Sequence, residues 1–231
     1  MKVKRIVRMS IFLSALLMAI LMPYVASAAT TWTVCAGGGC DYTEIQTAIA
    51  NANTIAGDTV LVSAGTYNIT SPIDFLGKAI TVKSASGAAT TIIDANQTNS
   101  VVSFTNSETA TSVLDGFTIT DGQANPSTLN YGGGIYIDDA SPTIKNCIIT
   151  QNASINSGGG IYLDGGSPTI TNCTISQNES PTGGGGGLSL FNGSPTITNC
   201  TITENGNLIN NALGGGMLIL AALQLKLLTV Q

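Results

Sequence analysis

The chain has 231 residues and a formal net charge of −5, and it contains 27 glycines, 9 % charged residues and no histidine. With 43 % hydrophobic and 5 % aromatic residues, it is too apolar for a disordered segment and too poor in charge for a typical cytosolic domain. Because histidine is absent, every mechanism that needs an imidazole base or an imidazole metal ligand is excluded.

Residues 1–28 have the three parts of a secretory signal peptide. Basic residues at positions 2, 4, 5 and 8 precede the apolar run 11–22, and the small-residue sequence 25–28 ends in Ala-Ser-Ala. This pattern predicts cleavage after Ala28 and export of the chain. An uncleaved membrane anchor is the alternative, although the apolar run is shorter than the ~20 residues that span a bilayer.

Cleavage would change the charge balance. Both arginines and two of the six lysines precede residue 29, whereas all 13 acidic residues follow it. Residues 29–231 therefore hold four lysines against 13 carboxylates, a net charge of −9. A surface of this charge repels phosphate backbones and anionic lipids, so neither nucleic acid nor a membrane is an expected partner.

The segment 29–58 is predicted to cap the N-terminal end of the fold. Asp41 and Glu44 make a start similar to a capping box. The apolar residues that follow at helical spacing are Ile45, Ala48, Ile49 and Ala52. We expect a short amphipathic helix that covers an exposed sheet edge.

Three near-identical units follow one another in the second half of the chain. They begin at Gly132, Gly158 and Gly185 and read GGGIYIDDASPTIKNCIITQN, GGGIYLDGGSPTITNCTISQN and GGGLSLFNGSPTITNCTITEN. A fourth glycine triplet begins at Gly214. The spacing within a unit is constant, and all variation in length falls in the connectors 153–157, 179–184 and 206–213. Constant units joined by variable loops indicate a solenoid, and we expect this loop edge to carry its contacts.

Each unit has the composition and alternation of β-strands. It is rich in Thr, Ile, Tyr and Asn, and in segment 135–138 the alternation turns Ile135 and Ile137 inward and Tyr136 and Asp138 outward. Three short strands and three bends in about 26 residues form one coil of a parallel β-helix, whose coils stack about 4.8 Å apart. The predicted interior ladders are Ile135, Ile161 and Leu188; Ile144, Ile170 and Ile197; and Ile149, Ile175 and Ile202.

Two further sets of residues recur with the repeat. Asn146, Asn172 and Asn199 occupy a bend and are predicted to form a ladder of hydrogen-bonded side-chain amides. Cys147, Cys173 and Cys200 follow them, and we interpret these three as a buried stack of reduced thiols. A disulfide between adjacent coils is the alternative, which would leave one thiol over.

Cys35 and Cys40 differ from the repeat cysteines. They flank Ala-Gly-Gly-Gly in a chain that is predicted to be exported, so a local disulfide is expected. Two solvent-facing thiols are the alternative.

The repeats resemble those of a known fold. Units of the type GGGIY…SPTI.NC.I..N are similar to the right-handed parallel β-helix repeats of bacterial surface proteins in the pectate-lyase-like superfamily. The junction IITQNASINSGGGIY resembles the polymorphic outer-membrane-protein repeat of chlamydiae and environmental bacteria, and DYTEIQTAIANANTIAGDTVLVSAGTYNI resembles the superfamily's N-terminal segment. The resemblance covers residues 33–217.

The prediction is therefore an all-β, right-handed parallel β-helix of roughly six coils with a short N-terminal capping helix. The signal peptide is assigned to 1–28, the cap to 29–58 and the solenoid to 59–217. Residues 59–131 supply degenerate coils, in which Phe117 takes the position of the repeat cysteine.

The resemblance implies a fold rather than an activity. Enzymes of this superfamily are polysaccharide lyases and hydrolases, and the lyases use calcium-binding carboxylates with an Arg or Lys base. Residues 29–231 contain no arginine. A hydrolase needs at least two converging carboxylates, and the only carboxylates in phase with the repeat are Asp138 and Asp164, with Phe191 one coil later. No catalytic residue is assigned, and an enzyme is the less favoured interpretation.

The best candidate for a binding site combines these carboxylates with two tyrosines. Tyr136 and Tyr162 precede Asp138 and Asp164 by two residues on the same outward face. Two aromatic rings beside two stacked carboxylates suit a sugar ring, or a calcium ion that bridges the coils. The alternative is ordinary solvent-facing decoration of the strands. No other cofactor is expected.

The sequence thus predicts an exported cell-surface, outer-membrane or extracellular protein that is structural, adhesive or glycan-binding. Its partner would be a glycan or a protein surface, and no oligomeric state follows from the sequence. The alternative is a polysaccharide lyase or glycoside hydrolase.

The C-terminal residues 218–231 leave the repeat pattern. After Met217 the pattern predicts SPTI.NC, whereas the chain reads LILAALQLKLLTVQ. With suitable codons, a shifted reading frame of this tail encodes TGSSTTKIVNCA and returns cysteine at the expected position, 229. We therefore expect a frameshift near Leu218 and a fragment of a longer repeat protein, with a tail that departs from the solenoid register. A genuine apolar helix that closes the solenoid is the alternative.

The nucleotide sequence tests the frameshift. The alternate frame downstream of Met217 is expected to encode further GGG…NC units. A frame without such units would contradict the hypothesis.

Overall fold

Alternating apolar and polar residues form the short strands of each coil, as the sequence predicts. The computed structural model of the protein describes residues 28–124, 131–182 and 184–206, together with the backbone of 217–219 and 226–230. The predicted signal peptide lies outside the described residues, apart from Ala28. Strands of successive coils pair in parallel, and the chain winds as a solenoid of about six coils.

The strands form three long sheets, A, B and C, and a short sheet D. Sheet A contains β1 (Thr31–Val34), β2 (Thr59–Val62), β5 (Thr81–Ser84), β8 (Val113–Asp115), β12 (Thr143–Lys145) and β16 (Thr169–Thr171). Sheet B contains β3 (Gly65–Asn68), β6 (Thr91–Asp94), β9 (Thr118–Thr120), β13 (Ile148–Thr150) and β17 (Thr174–Ser176). The long strand β19 (Thr196–Thr203) continues both A and B. Sheet C contains β4 (Ile73–Asp74), β7 (Val102–Phe104), β11 (Ile135–Asp138), β15 (Ile161–Asp164) and β18 (Leu188–Leu190), and sheet D contains β10 (Gln123–Ala124) and β14 (Ala153–Ser154).

Residues at equivalent positions of successive sequence units are partners in the sheets. Ile135 pairs with Ile161, which in turn pairs with Leu188. Eight of the nine predicted ladder residues are at most 1 % exposed, and Ile202 is partly buried. The apolar interior is therefore a set of stacked ladders, as predicted.

The predicted capping helix is present as α1 (Ile45–Ala50), but the predicted capping box is wrong. Glu44 occupies the N-cap position, and its carboxylate accepts a hydrogen bond from the Thr47 hydroxyl (3.0 Å) but makes no capping bond to a backbone N–H. The Asp41 carboxylate instead accepts hydrogen bonds from the backbone N–H (2.8 Å) and the hydroxyl (2.7 Å) of Thr33 on the neighbouring strand. The buried residues of α1 are Ile45, Ala48 and Ile49, whereas Ala52 lies beyond its end and is exposed.

Two polar side chains attach α1 to the first coil. The Gln46 amide pairs with the backbone of Asp74, donating to its carbonyl (3.1 Å) and accepting from its N–H (2.8 Å). The Lys78 ammonium donates to the carbonyls of Ile49 (2.6 Å) and Asn51 (2.9 Å) at the end of the helix. These bonds satisfy polar groups at the edge of sheet C and at the helix C-terminus.

The predicted asparagine ladder is only partly formed. Asn146, Asn172 and Asn199 have left-handed φ angles of +55°, +54° and +51° at the bend between sheets A and B, and all three are exposed. Asn172 donates to Asn146 (3.3 Å), and Asn146 donates to Asp115 (2.7 Å). Within the described residues, no side-chain hydrogen bond joins Asn172 to Asn199.

A second column of asparagines forms the continuous ladder. Asn152 and Asn178 are 1 % and 0 % exposed, and they lie with Asn205 at the bend that follows sheet B. The Nδ2 of Asn152 donates to Oδ1 of Asn178 (3.0 Å), and the Nδ2 of Asn178 donates to Oδ1 of Asn205 (3.0 Å). The same amides bind backbone groups, among them the carbonyls of Ile119 (3.0 Å) and Ile149 (2.9 Å). Spacing alone did not distinguish this inward column from the outward one.

The repeat cysteines are free and form a buried stack. Each thiol donates to the carbonyl two residues before it, at 3.2–3.3 Å. Cys173 lies between Cys147 and Cys200, and hydrogen bonding to Cys147 and Cys200, together with burial, raises its pKa well above the ordinary value. Cys35 and Cys40 are joined by a disulfide, with Cα atoms 5.5 Å apart.

Both described segments of the tail pair with the preceding coil. Strand β20 (Met217–Ile219) pairs with β18, and β21 (Lys226–Val230) pairs with β19, both in parallel. Leu188 pairs with Met217, 29 positions later, whereas Thr196 pairs with Lys226, 30 positions later. The tail therefore has one more residue between these strands than the unit before it.

Replacing Asn178 with alanine is expected to destabilise the fold strongly. It removes four side-chain hydrogen bonds between buried groups of adjacent coils. We expect the free energy of unfolding to fall by about 3 kcal/mol in urea denaturation, because buried backbone groups lose their partners.

Asn172→Gly is the matched control at the outward bend. Glycine adopts its positive φ without strain, and only one 3.3 Å exposed bond is lost. We expect a change within about 1 kcal/mol. Equal losses in the two variants would contradict the assignment of the ladder.

Candidate functional site

The outer face of sheet C brings together all four residues predicted for the site. Strands β11 and β15 pair in register, so Tyr136 lies beside Tyr162 and Asp138 beside Asp164. Alternation buries the residues between them and leaves both carboxylates half-exposed. We call this set, with the neighbours described below, the sheet C site.

A third tyrosine completes a stack of aromatic rings. The ring of Tyr131 lies 4.6 Å from that of Tyr162 at an interplanar angle of 20°, and the ring of Tyr136 lies 6.0 Å from it at 30°. Tyr162 is consequently only 8 % exposed. The sequence predicts that the ring of Tyr162 is open to a ligand. In the structure this ring instead packs against the rings of Tyr131 and Tyr136, which are more accessible. Tyr131 was missed because it precedes the first glycine triplet and has no counterpart in the other units.

The site closes on the side of the next coil. Ser189, the register partner of Tyr162, is 1 % exposed and accepts a hydrogen bond from the Ser157 hydroxyl (2.6 Å). In the connector 153–157, which the sequence assigns to the contact edge, Ile155 is the large apolar side chain that remains exposed. Residues 183 and 207–213 of the other two connectors lie outside the described residues.

Each carboxylate of the site accepts a hydrogen bond from a neutral donor. Asp138 accepts from the hydroxyl of Tyr136 (3.3 Å), and Asp164 accepts from the amide of Asn192 (2.8 Å) in the following coil. The neighbouring Asp139 turns over Gly165, where a β-carbon would overlap its Oδ1.

The tyrosine hydroxyls of the site remain neutral over a wide pH range. Desolvation, followed by the negative charge of Asp138, raises the pKa of Tyr136 to about 12. Desolvation, followed by the charge of Asp164, raises the pKa of Tyr162 to about 12. Both phenols are therefore hydrogen-bond donors throughout the physiological pH range.

The arrangement does not build a metal site by itself. Among the described residues, no group of three or more Cys, Asp or Glu side chains is placed to hold a metal ion. Calcium takes six to eight oxygen ligands, so an ion between Asp138 and Asp164 would need most of its ligands from water or from a bound molecule.

A known protein family matches most of the solenoid. Residues 78–220 match the family model described as "Right handed beta helix region". The chain belongs to this family. No curated protein sequence matches the chain.

A solved structure of a pectin methylesterase shares the fold, and a second was compared with this chain. One, a mutant in complex with a hexasaccharide, is 13 % identical with a TM-score of 0.55, and the alignment covers 81 % of this chain and 60 % of that one. The enzyme from carrot is 15 % identical with a TM-score of 0.43, over 90 % and 84 % of the two chains. Identities this low show the pectate-lyase-like fold alone. Among the described residues, no helix is long and apolar enough to cross a membrane.

Replacing Asp138 with asparagine is expected to lower the pKa of Tyr136. The substitution removes the carboxylate charge and replaces a charge-assisted hydrogen bond with a weaker one to an amide oxygen, and both of the lost effects raise this pKa. Desolvation persists, so the value should fall below 12 but stay above the ordinary 10. Spectrophotometric titration of tyrosinate absorbance measures the shift.

The raised pKa of Tyr136 makes the stability of the fold depend on pH. Because the folded-state pKa is raised, the site's contribution to stability is complete below pH 10 and is lost as the pH rises through 12. Asp94→Asn, on sheet B, is the control and should leave the titration unchanged. An unchanged Tyr136 titration in Asp138→Asn would show that this carboxylate does not face the ring.

Proposed function

We propose that this protein is an exported glycan-binding protein of the cell surface or extracellular matrix, and that the sheet C site holds the sugar. The observation that carries this proposal is the three-ring tyrosine stack beside two half-exposed carboxylates. Aromatic rings pack against the apolar faces of sugar rings, and carboxylates accept hydrogen bonds from sugar hydroxyls.

Further observations support this function. The site lies on a rigid parallel sheet, so its groups are positioned before a ligand arrives. A structural relative that shares the fold was solved with a bound hexasaccharide. Export is supported by the signal-peptide pattern of residues 1–28.

Binding is favoured over lyase catalysis because the described site has no cationic side chain that could serve as the base. Its ionisable groups are carboxylates and tyrosines, and residues 29–231 contain neither arginine nor histidine. The net charge of −9 after cleavage also disfavours a polyanionic glycan, since two carboxylates of the site would face its charges. We therefore expect a neutral glycan.

Isothermal titration of the exported chain with neutral and acidic oligosaccharides tests the proposal. Tyr136→Ala and Asp164→Asn are each expected to weaken binding of a neutral glycan about tenfold, the loss of one ring contact or one charge-assisted hydrogen bond. Lys83→Ala, on the outer face of sheet A, is the control and should bind normally.

Two outcomes would contradict this function. Unchanged affinity in both sheet C variants would remove the site from binding. Turnover of the glycan that Asp138→Ala abolishes would make the protein an enzyme.

A further inference from the structure

The first strand of each long sheet has an outer edge, and the chain closes two of these edges with its own groups. On sheet A, the Asp41 carboxylate accepts from the N–H of Thr33 (2.8 Å), and the N–H of Tyr42 donates to the Thr33 carbonyl (3.0 Å). On sheet C, the Gln46 amide binds both backbone groups of Asp74. These positions therefore do not offer their backbone to another strand.

The first strand of sheet B, β3, is open at its outer edge. Its one neighbour is β6, and the N–H groups of Gly65 and Ile69 donate to carbonyls on that side, at 2.9 and 2.8 Å. Successive residues of a strand alternate between its two edges, so Thr66 and Asn68 face away from β6. Within the described residues, no hydrogen bond reaches the backbone N–H or carbonyl of either one.

Strand β3 also lacks the features that usually protect an edge. Natural edge strands carry charged side chains, proline or a bulge. Thr66, Tyr67 and Asn68 are uncharged, and β3 contains no proline and pairs with β6 in continuous register. Its free donors and acceptors therefore remain available to an added strand.

A groove of about 390 Å³ lies along this open edge. Residues 66–71 line one side, and residues 43–46 at the start of α1 line the other, together with Ala36 of the disulfide loop. The four residues of β3 correspond to a length of roughly 13 Å. Because residues 43–46 stand opposite the edge, the groove has room for one extended chain but not for the edge of a second folded sheet.

The lining of the groove is apolar inside and negative outside. The inner residues Ile45, Tyr67 and Ile73 are buried, so an inward side chain of an added strand meets an apolar surface. Among the described lining residues, exposed Glu44 is the charged one. Residues 29–231 carry a net charge of −9, so charge complementarity favours a basic partner.

We propose that this groove binds an extended basic segment of a partner protein, which adds to β3 as one further strand of sheet B. In the parallel register of the sheet, the partner residue opposite Tyr67 donates its N–H to the Thr66 carbonyl and accepts from the N–H of Asn68. Backbone bonds provide the affinity, a small apolar side chain over Tyr67 sets the register, and a cation beside Glu44 adds specificity. This interaction goes beyond glycan binding and uses no residue of the sheet C site.

Isothermal titration of the whole exported chain with the peptide acetyl-Lys-Thr-Val-Thr-Lys-amide tests the proposal. Its valine is the inward residue, and its lysines supply the charge. N-methylation of the valine removes the donor to Thr66 and should weaken binding at least about tenfold. N-methylation of the threonine that follows is the matched control, because this N–H faces away from β3, and the affinity should be retained.

Hydrogen exchange locates the bound peptide on the protein. The N–H groups of Thr66 and Asn68 lie at the free edge and should exchange at least about tenfold more slowly when the peptide is saturating. The N–H of Tyr67 faces β6 and should change little.

The role of charge is tested on both partners. Glu44→Gln should weaken binding about threefold, the size expected for an exposed ion pair. It should also reduce the preference over acetyl-Glu-Thr-Val-Thr-Glu-amide. Asp121→Asn, outside the groove, is the control and should bind both peptides as the unmodified chain does.

Several results would overturn the strand-addition proposal. They are no binding at millimolar peptide, equal affinities of the two N-methylated peptides, and slower exchange only at amides other than those of Thr66 and Asn68. Protection of these two amides by cellohexaose but not by the peptide would make the groove a glycan site, which also contradicts the proposal. Glycan binding at the sheet C site stands or falls separately, because the two sites share no residue.

Discussion

The buried asparagine ladder is the interaction on which the rest of the solenoid depends. A coil that turns sharply after sheet B must bury backbone N–H and carbonyl groups, and unpaired groups of this kind cost free energy. The side-chain amides of Asn152 and Asn178 bind such groups on the preceding coil, and that of Asn152 also binds the carbonyl of Thr150 on its own coil. Bonds between the amides themselves join Asn152 to Asn178 and Asn178 to Asn205. The repeat coils that contain these asparagines are therefore fixed in height and rotation relative to one another, and their outer faces are equally regular.

The candidate binding surface on sheet C follows from this regularity. When coils are held in register, any outward residue that recurs forms a column, as Tyr136 and Tyr162 do on sheet C. The interior constrains only the residues that point inward. The outward positions are thus free to vary between coils, as Asp164 and Phe191 do at equivalent positions, without disturbing the stack.

The sequence was most informative where side chains face the interior. Alternation and repeat length identified the isoleucine ladders, because burial depends on period alone. Both asparagine columns recur with the same period, so spacing did not show which one faces inward. The capping box failed because Asp41 binds Thr33, a partner that only the fold brings close. Tyr131 was missed because it lies outside the repeated units and has no counterpart in them.

Gln46 has a consequence for how this molecule meets others of its kind. The first strand of a parallel sheet exposes a row of donors and acceptors to which a foreign strand can add. The side-chain amide of Gln46 makes the two hydrogen bonds to Asp74 that a residue of an added strand would make. It therefore blocks this part of the edge of sheet C. Strand addition to sheet C is thus obstructed at the end of the solenoid that the helix covers. The two ends of the solenoid are therefore not equivalent for assembly with other chains.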